Sequence, residues 1–264
     1  VLDVQSGRVY VERTGTGPRS GRVAVIAHWS SSSVLSRSVR ELIRQLRESD
    51  YGVVIVSTAE APEPLEATGV LLDGVTILRR PNVGYDFGSW ATGMAACPWV
   101  QEADRALFAN DSMLGPFVSV AGLLRQFEGT SGDVWGLTDT VQHGYHLQSY
   151  VIGFRGSVLR HPPLQEFWRD IRVEPTKRRV VRRYELGLSA LARTEGYRFH
   201  VAYPHNGVVR RGQNPTIIGW RKLLDLGFPF VKRELLLKPR VAPDGVDVPD
   251  EIERRFGVEA RSWL

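Results

Sequence analysis

The chain has a single cysteine, Cys97, among 264 residues, so it can form neither an internal disulfide nor a cysteine-built zinc cluster. The apolar surroundings of Cys97, MAACPWV, read as a buried core thiol, which is compatible with a reducing compartment. No run of about 18 apolar residues is present, and no charged-then-apolar leader, so the expectation is a chain that neither spans a membrane nor carries its own export signal. The six histidines show no H-E-x-x-H and no other tight zinc spacing. No G-x-G-x-x-G follows the first strand, which disfavours a dinucleotide-dependent dehydrogenase. No basic strand interleaved with aromatics resembles an RNA-recognition signature, so nucleic acid is not expected as a partner. Repeats and long low-complexity tracts are missing as well. Val1 in place of Met reads as an excised portion of a longer protein, whose remainder could hold an anchor or another domain.

Hydrophobic residues make up 42% of the chain, enough for a substantial core in one large α/β domain or two small ones. The formal charge of +5 by itself points to an anionic partner such as a nucleotide, a polyphosphate, nucleic acid or an acidic membrane surface, without saying which. Residues 1–21 include ERTGTGPRSG, which precedes the first good strand and lacks the Lys-Ser/Thr ending of a phosphate loop; it reads as an N-terminal linker or extension. RVAVIAHWS is then a near-continuous apolar run of the kind buried on both faces of a parallel sheet. In SRSVRELIRQLRESD, Val39, Leu42, Ile43 and Leu46 fall at helical spacing. YGVVIVSTA and GVTILRRPN follow as strands, a helix can begin in DFGSWATGMAAC, and RALFAND is a fourth strand. This is a doubly wound half-sheet, in which ligands bind outside the carboxyl ends of the strands. Those ends carry His28, Ser57 and Thr58, Asn82, and Asn110 and Asp111. The second half is less regular: DVWGLT, LQSYVIGFR and YRFHVAYP read as strands, PLQEFWRDI and RYELGLSALARTEG as helices. No composition shift marks a boundary, so residues 22–264 read as a single domain.

Several stretches carry polar chemistry, each with a plainer alternative. In RRPNVGYDFGSW, Arg79 or Arg80 could pair with phosphate, and Asn82, Gly84 and Gly88 permit tight turns; Asp86 serves either a ligand or a helix N-cap. NDS, residues 110–112, is either a metal or sugar-nucleotide anchor or a tight turn with local hydrogen bonds. Glu185 lies in the first turn of a helix, where an acid either complements the helix dipole or serves as a base in a cleft. KRRVVRR is a solvated loop or a surface for anionic lipid. His205 is a loop histidine or a late metal ligand, and Lys232 and Arg233 either start a helix or fold over a diphosphate.

Taken in order, AHWS, IVST, NVGYDFGSW, NDSMLGP, DVWGLTDT, LQSYVIGF, YELGLS and PFVKREL make the stretch from about residue 22 to 237 resemble the rhamnan synthesis F family of bacterial glycosyltransferases. That family is similar to the GT-A superfamily. The resemblance implies an α/β fold, GT-A-like, with an open, mostly parallel twisted sheet flanked by helices and a nucleotide-binding half followed by an acceptor-binding half. It implies inverting transfer of a deoxyhexose, L-rhamnose from dTDP-rhamnose, onto a surface polysaccharide or lipid-linked oligosaccharide; a noncatalytic nucleotide- or glycan-binding module of the same fold is the alternative. Glu185 is the first candidate base and Asp139 the second. The implied donor set is His28, Ser57, Thr58, Arg80, Asn82, Gly84, Tyr85, Asp86, Asn110, Asp111, Ser112, Lys232 and Arg233. Trp135, Gln148 and Tyr150 are implied acceptor contacts, and Trp90, Trp135 and Tyr150 the possible stacking platforms. NDS falls where the superfamily has Asp-x-Asp, with both outer aspartates replaced. A Mg²⁺ or Mn²⁺ ion on Asp111, with His205 as a further ligand, is the cofactor expectation. A cytoplasmic placement, with peripheral contact to the anionic inner face of the membrane, completes the reading.

Overall fold

The computed structural model describes residue 2 and residues 7–17, 20–68 and 72–264; residues 1, 3–6 and 18–19 of the expected linker lie outside the described residues. Its strands are β1 (Tyr10–Arg13), β2 (Arg22–His28), β3 (Gly52–Ser57), β4 (Thr76–Arg79), β5 (Arg105–Asn110), β6 (Met113–Leu114), β7 (Val134–Thr140), β8 (His146–Leu147), β9 (Val151–Arg155), β10 (Phe199–Tyr203) and β11 (Val231–Lys232). The helices are α1 (Arg37–Glu48), α2 (Tyr85–Ala96), α3 (Trp99–Glu102), α4 (Ala121–Gly129), α5 (Gly156–Leu159), α6 (Pro162–Arg169), α7 (Lys177–Val180), α8 (Leu186–Thr194), α9 (Trp220–Asp225), α10 (Arg233–Leu237) and α11 (Val248–Phe256).

The large sheet runs β1-β4-β3-β2-β5-β9-β7-β10, with β8 on β7. Strands β4, β3, β2 and β5 are mutually parallel, and β7 and β10 are parallel to each other. Strand β9 runs against both its neighbours, β5 and β7. The result is a mixed α/β molecule with a large, mostly parallel sheet flanked by helices. Part of the expected linker, β1, pairs antiparallel with β4 and adds an edge strand. In the register His28 lies opposite Ser57, Ser57 opposite Arg79, and Ala27 opposite Asn110. Four strand ends therefore finish along one edge.

Side chains alternate across the pleat, so the continuous apolar runs feed two cores. Val25, Val54, Val56 and Phe108 pack with Phe87, Trp90, Trp168 and Tyr184 on one face. Ala24, Ile26, Ile55 and Leu107 pack with Val39, Ile43 and Leu124 on the other. A third cluster, built on Trp220, Leu235, Ile252 and Trp263, encloses Leu114 from β6. Cys97 is buried, as its neighbours implied, and burial pushes its thiol up to about 11.

Two expectations need correction. The basic run is no loop: Thr176 caps α7, and a π-helical turn, Val181–Glu185, carries α7 into α8. Val180 and Tyr184 supply its buried side, leaving the cations outside. LQSYVIGFR is two strands rather than one, because Gln148 turns inward to bond Thr138 and the chain bends before β9. Among the described residues, no helix is long and apolar enough to cross a membrane.

Candidate functional site

The carboxyl edge of the parallel strands gathers the polar residues. Gly84 precedes α2 with φ of +84° and makes no side-chain cap, so Asp86 is not the helix cap considered from sequence. Its carboxylate instead accepts from Asn110 Nδ2 at 2.7 Å. Asn110 Oδ1 accepts from the Ser112 amide at 3.1 Å and from Ser112 Oγ at 2.6 Å. Lys232 Nζ in turn donates to Ser112 Oγ at 3.1 Å. A chain of bonds thus joins α2, the end of β5 and β11. Asp111 Oδ2 accepts from the Trp29 amide at 2.7 Å, tying the ends of β2 and β5 together.

Burial pushes the Asp86 carboxyl above its usual range; the Asn110 bond, Lys177 and Lys232 oppose this, and Glu185 adds to it. Burial also raises Asp111, to about 7, against the Trp29 bond and the Arg233 charge. Burial lowers the Lys232 ammonium, while Glu185 and Asp86 hold it up. These mutual fields place Glu185, from the π-helical turn, within electrostatic reach of Asp86 and Lys232. Glu185 Oε1 accepts from Ser149 Oγ at 2.7 Å, and Oε2 lies 3.7 Å from His146 Nε2. The carboxylate is half-buried and held on two sides.

The other donor candidates divide into lining and scaffold. Ser57 Oγ is buried against His28 Nδ1, 3.1 Å away, and accepts from the Ala59 amide; Thr58 Oγ1 donates to the His28 carbonyl. Those hydroxyls are spent on the fold, so they do not reach out to a base. His28 is held down at about 4 by burial and the charges of Arg79 and Arg233, and is therefore neutral near pH 7. Arg80 is buried, donating to Ser89 Oγ at 2.7 Å and to the Val83 carbonyl. Asn82 and Tyr85 are exposed, Asn82 just before α2 and Tyr85 at its start. Arg233 sends its amide to the Ser112 carbonyl at 3.0 Å, and its Nε is buried with no partner among the described residues.

The acceptor candidates are turned inward. Trp90 and Trp135 are core residues, Trp135 against Phe127. Tyr150 is buried with its hydroxyl 2.6 Å from Thr138 Oγ1, and its ring lies under Lys232. None of these rings has a face left for a sugar. Gln148 accepts from Thr138 Oγ1 and donates to Asn214 Oδ1, cross-linking two segments. Asp139 is buried with Oδ1 taken by the His205 amide at 2.7 Å and by its Nδ1 at 2.9 Å. It holds His205 rather than standing open to an acceptor.

The expected metal set does not assemble. His205 is bound to Asp139 and not to Asp111, and among the described residues no three His, Cys, Asp or Glu are grouped to hold a metal ion. Within residues 110–112 the Asn110 oxygen is filled by Ser112, and Ser112 Oγ receives an ammonium. A hard dication needs oxygen ligands free to face it. The carboxylates of this edge are those of Asp111 and Asp86, and His205 does not join them.

Three residues at the site, Trp29, His146 and Ser149, were not named as candidates from sequence, and Lys177 was named only within the basic run. Trp29 is 44% exposed beside Asp111, while most other tryptophans are core. His146 and Ser149 grip Glu185, and Lys177 lies in the field of Asp86. Trp29 and Ser149 had a signal, since they lie in AHWS and LQSYVIGF, whereas His146 is brought in by packing alone.

A family model described as rhamnan synthesis protein F matches residues 53–257. The chain is 32% identical over 230 residues to virulence protein VirA of Vibrio anguillarum, covering 72% of this chain and 71% of that protein. It is 25% identical over 235 residues to an uncharacterised protein of Sinorhizobium fredii, covering 84% of this chain and 61% of that one. A solved structure described as a hypothetical transferase from Thermus thermophilus aligns over 90% of each chain, at 14% identity and a TM-score of 0.37, too distant to bear on chemistry.

Proposed function

The chain belongs to the rhamnan synthesis protein F family, and on that premise we propose that it is a glycosyltransferase, taking a nucleotide-sugar donor and a glycan or lipid-linked acceptor. The fold in this reading is GT-A-like and forms one domain over residues 22–264, with the donor on the β4-β3-β2-β5 half. The family description favours L-rhamnose as the sugar and dTDP-rhamnose as the donor. The observation that carries the proposal is the convergence of Glu185, from a helix of the second half, on the Asp86–Asn110–Ser112–Lys232 chain at the sheet edge.

An inverting transfer needs one base opposite the departing diphosphate. The acceptor hydroxyl attacks the anomeric carbon, its proton passes to a Glu185 oxygen, and the carbon–oxygen bond to the diphosphate breaks with its electron pair leaving on the nucleotide. Ser149 and His146 keep the carboxylate oriented for that step. Asp86 and Asn110 line the donor side, and the Arg233 guanidinium adds positive charge beside them. Arg178, Arg179 and Arg182 stand exposed on the helix that leads to Glu185 and suit an anionic membrane surface near the acceptor.

The test begins with thermal stabilisation by dTDP, UDP and GDP; stabilisation by none of them would count against the whole reading. With a donor in hand, Glu185→Gln is expected to lower transfer by about 10²–10⁴-fold and leave nucleotide binding intact. Unchanged transfer would remove Glu185 as the base. Binding without transfer in the unaltered protein, across donors and acceptors, would favour a noncatalytic binding module.

A further inference from the structure

We propose that Lys232 supplies, from the protein itself, the positive charge against which the nucleoside diphosphate departs, so that transfer proceeds without a divalent metal ion. This rests on the glycosyltransferase reading above and deepens it. Three observations meet at the residue.

The first is its anchorage. Strand β11 pairs with β6 so that Lys232 stands opposite Met113, and the Arg233 amide donates to the Ser112 carbonyl. The lysine backbone is therefore stitched directly beside residues 110–112, although it is 120 residues away in the chain. The second is the position of its head group. Nζ donates to Ser112 Oγ at 3.1 Å, at the residue that stands in the third position of the motif, and lies 5.5 Å from the centre of the Tyr150 ring. An ammonium has three donors, and this bond uses one. The third is the balance of charge around it. Burial works against the ammonium, and Glu185, Asp86 and Glu234 counter it by attraction while Lys177 repels it. Acids thus surround a fixed cation, and a second, divalent cation beside Ser112 would meet that ammonium at close range.

In the transfer step the bond from the anomeric carbon to the diphosphate breaks and the electron pair stays on the phosphate oxygen. Lys232 donates a hydrogen bond to that oxygen as its charge develops, without giving up the proton. The proton of the acceptor hydroxyl goes to Glu185, so charge and protons balance with no further reactant. A fixed donor of this kind stabilises the developing charge without reorganising during reaction.

The experiment uses the full chain, with dTDP binding followed by calorimetry and transfer from dTDP-rhamnose followed by nucleotide release, each in EDTA and in Mn²⁺. Binding and turnover within about two-fold of each other in the two conditions are expected. Lys232→Gln is expected to lower turnover by about 10²–10³-fold, with no restoration by Mn²⁺ and an unchanged thermal midpoint. Turnover or binding that requires Mn²⁺ overturns the proposal while leaving the transferase reading standing, as does a Lys232→Gln variant of full activity. Absence of binding to dTDP, UDP and GDP in both conditions overturns both readings. Should Lys232→Gln fail to fold, Lys232→Met takes its place, with the same loss of turnover expected and full activity overturning the proposal, beside the EDTA and Mn²⁺ comparison on the unaltered protein.

Discussion

His28 sits at the end of β2 with its ring against Ser57, too buried to carry a charge beside Arg79 and Arg233. Its value near 4 in the fold compares with about 6.5 in an unfolded chain, so between those values the unfolded state binds more protons. The stability it contributes is complete above about pH 6.5 and is lost as pH falls through the window towards 4. Between pH 7 and pH 4.5 the unfolding free energy from urea titrations is expected to fall further for the unaltered protein than for His28→Asn, by roughly 2–3 kcal/mol. An identical fall in both would show that His28 carries no such coupling. Asp86 shows the opposite case for an acid: burial pushes its carboxyl up, and the opposing bond comes from Asn110, a residue 24 positions away that no local pattern in YDFGSW announces.

At the scale of elements, α2 is set by how closely Arg80 lies across its first turn. A Cβ on Gly88 would stand 2.8 Å from the Val83 carbonyl and 3.2 Å from Arg80 Nη2, and the carbonyl is backbone that cannot swing aside. Alanine has the higher helix propensity, but here overpacking outweighs it. Gly88→Ala is expected to destabilise the protein by about 1–3 kcal/mol in chemical denaturation; a stabilised variant would show that the loop before α2 yields freely. Much of this level was legible in the chain. The spacing of Val39, Ile43 and Leu46 marks α1, and the apolar runs mark β2, β3 and β5, because periodicity and burial are local properties. The passage of α7 through a π-helical turn into α8 was not legible, since five cations in seven residues resemble a solvated loop until Val180 and Tyr184 find the core.

Across the whole molecule, the C-terminal segment packs against β6 and β11. Trp263 packs on Phe117 with ring centres 4.9 Å apart, Arg37 lies 4.4 Å over its ring, and its carbonyl accepts from the buried Ser38 hydroxyl at 2.7 Å. The same cluster contains Leu114 and Val231, the neighbours of the Lys232 ladder. Trp263→Ala is expected to cost about 3–5 kcal/mol of stability, and to weaken dTDP binding because β11 loses its support. Calorimetric unfolding and a dTDP titration check the two halves of that expectation separately. A variant that loses stability and binds dTDP unchanged would leave the edge independent of the C-terminal cluster.

The sequence by itself determined most of the helical and extended segments, the buried cysteine and the family motifs, because each is written in residues within a turn or a strand of one another; KRRVVRR and LQSYVIGFR were the exceptions. The tertiary structure alone decided which of the polar residues meet. It turned Trp135, Tyr150 and Gln148 into scaffold, spent His205 on Asp139, and brought Glu185 and Lys232 to Asp86 and Ser112. Those meetings depend on how sheet, helix and C-terminal segment close on each other, and a side chain's partners across such distances leave no trace in local pattern.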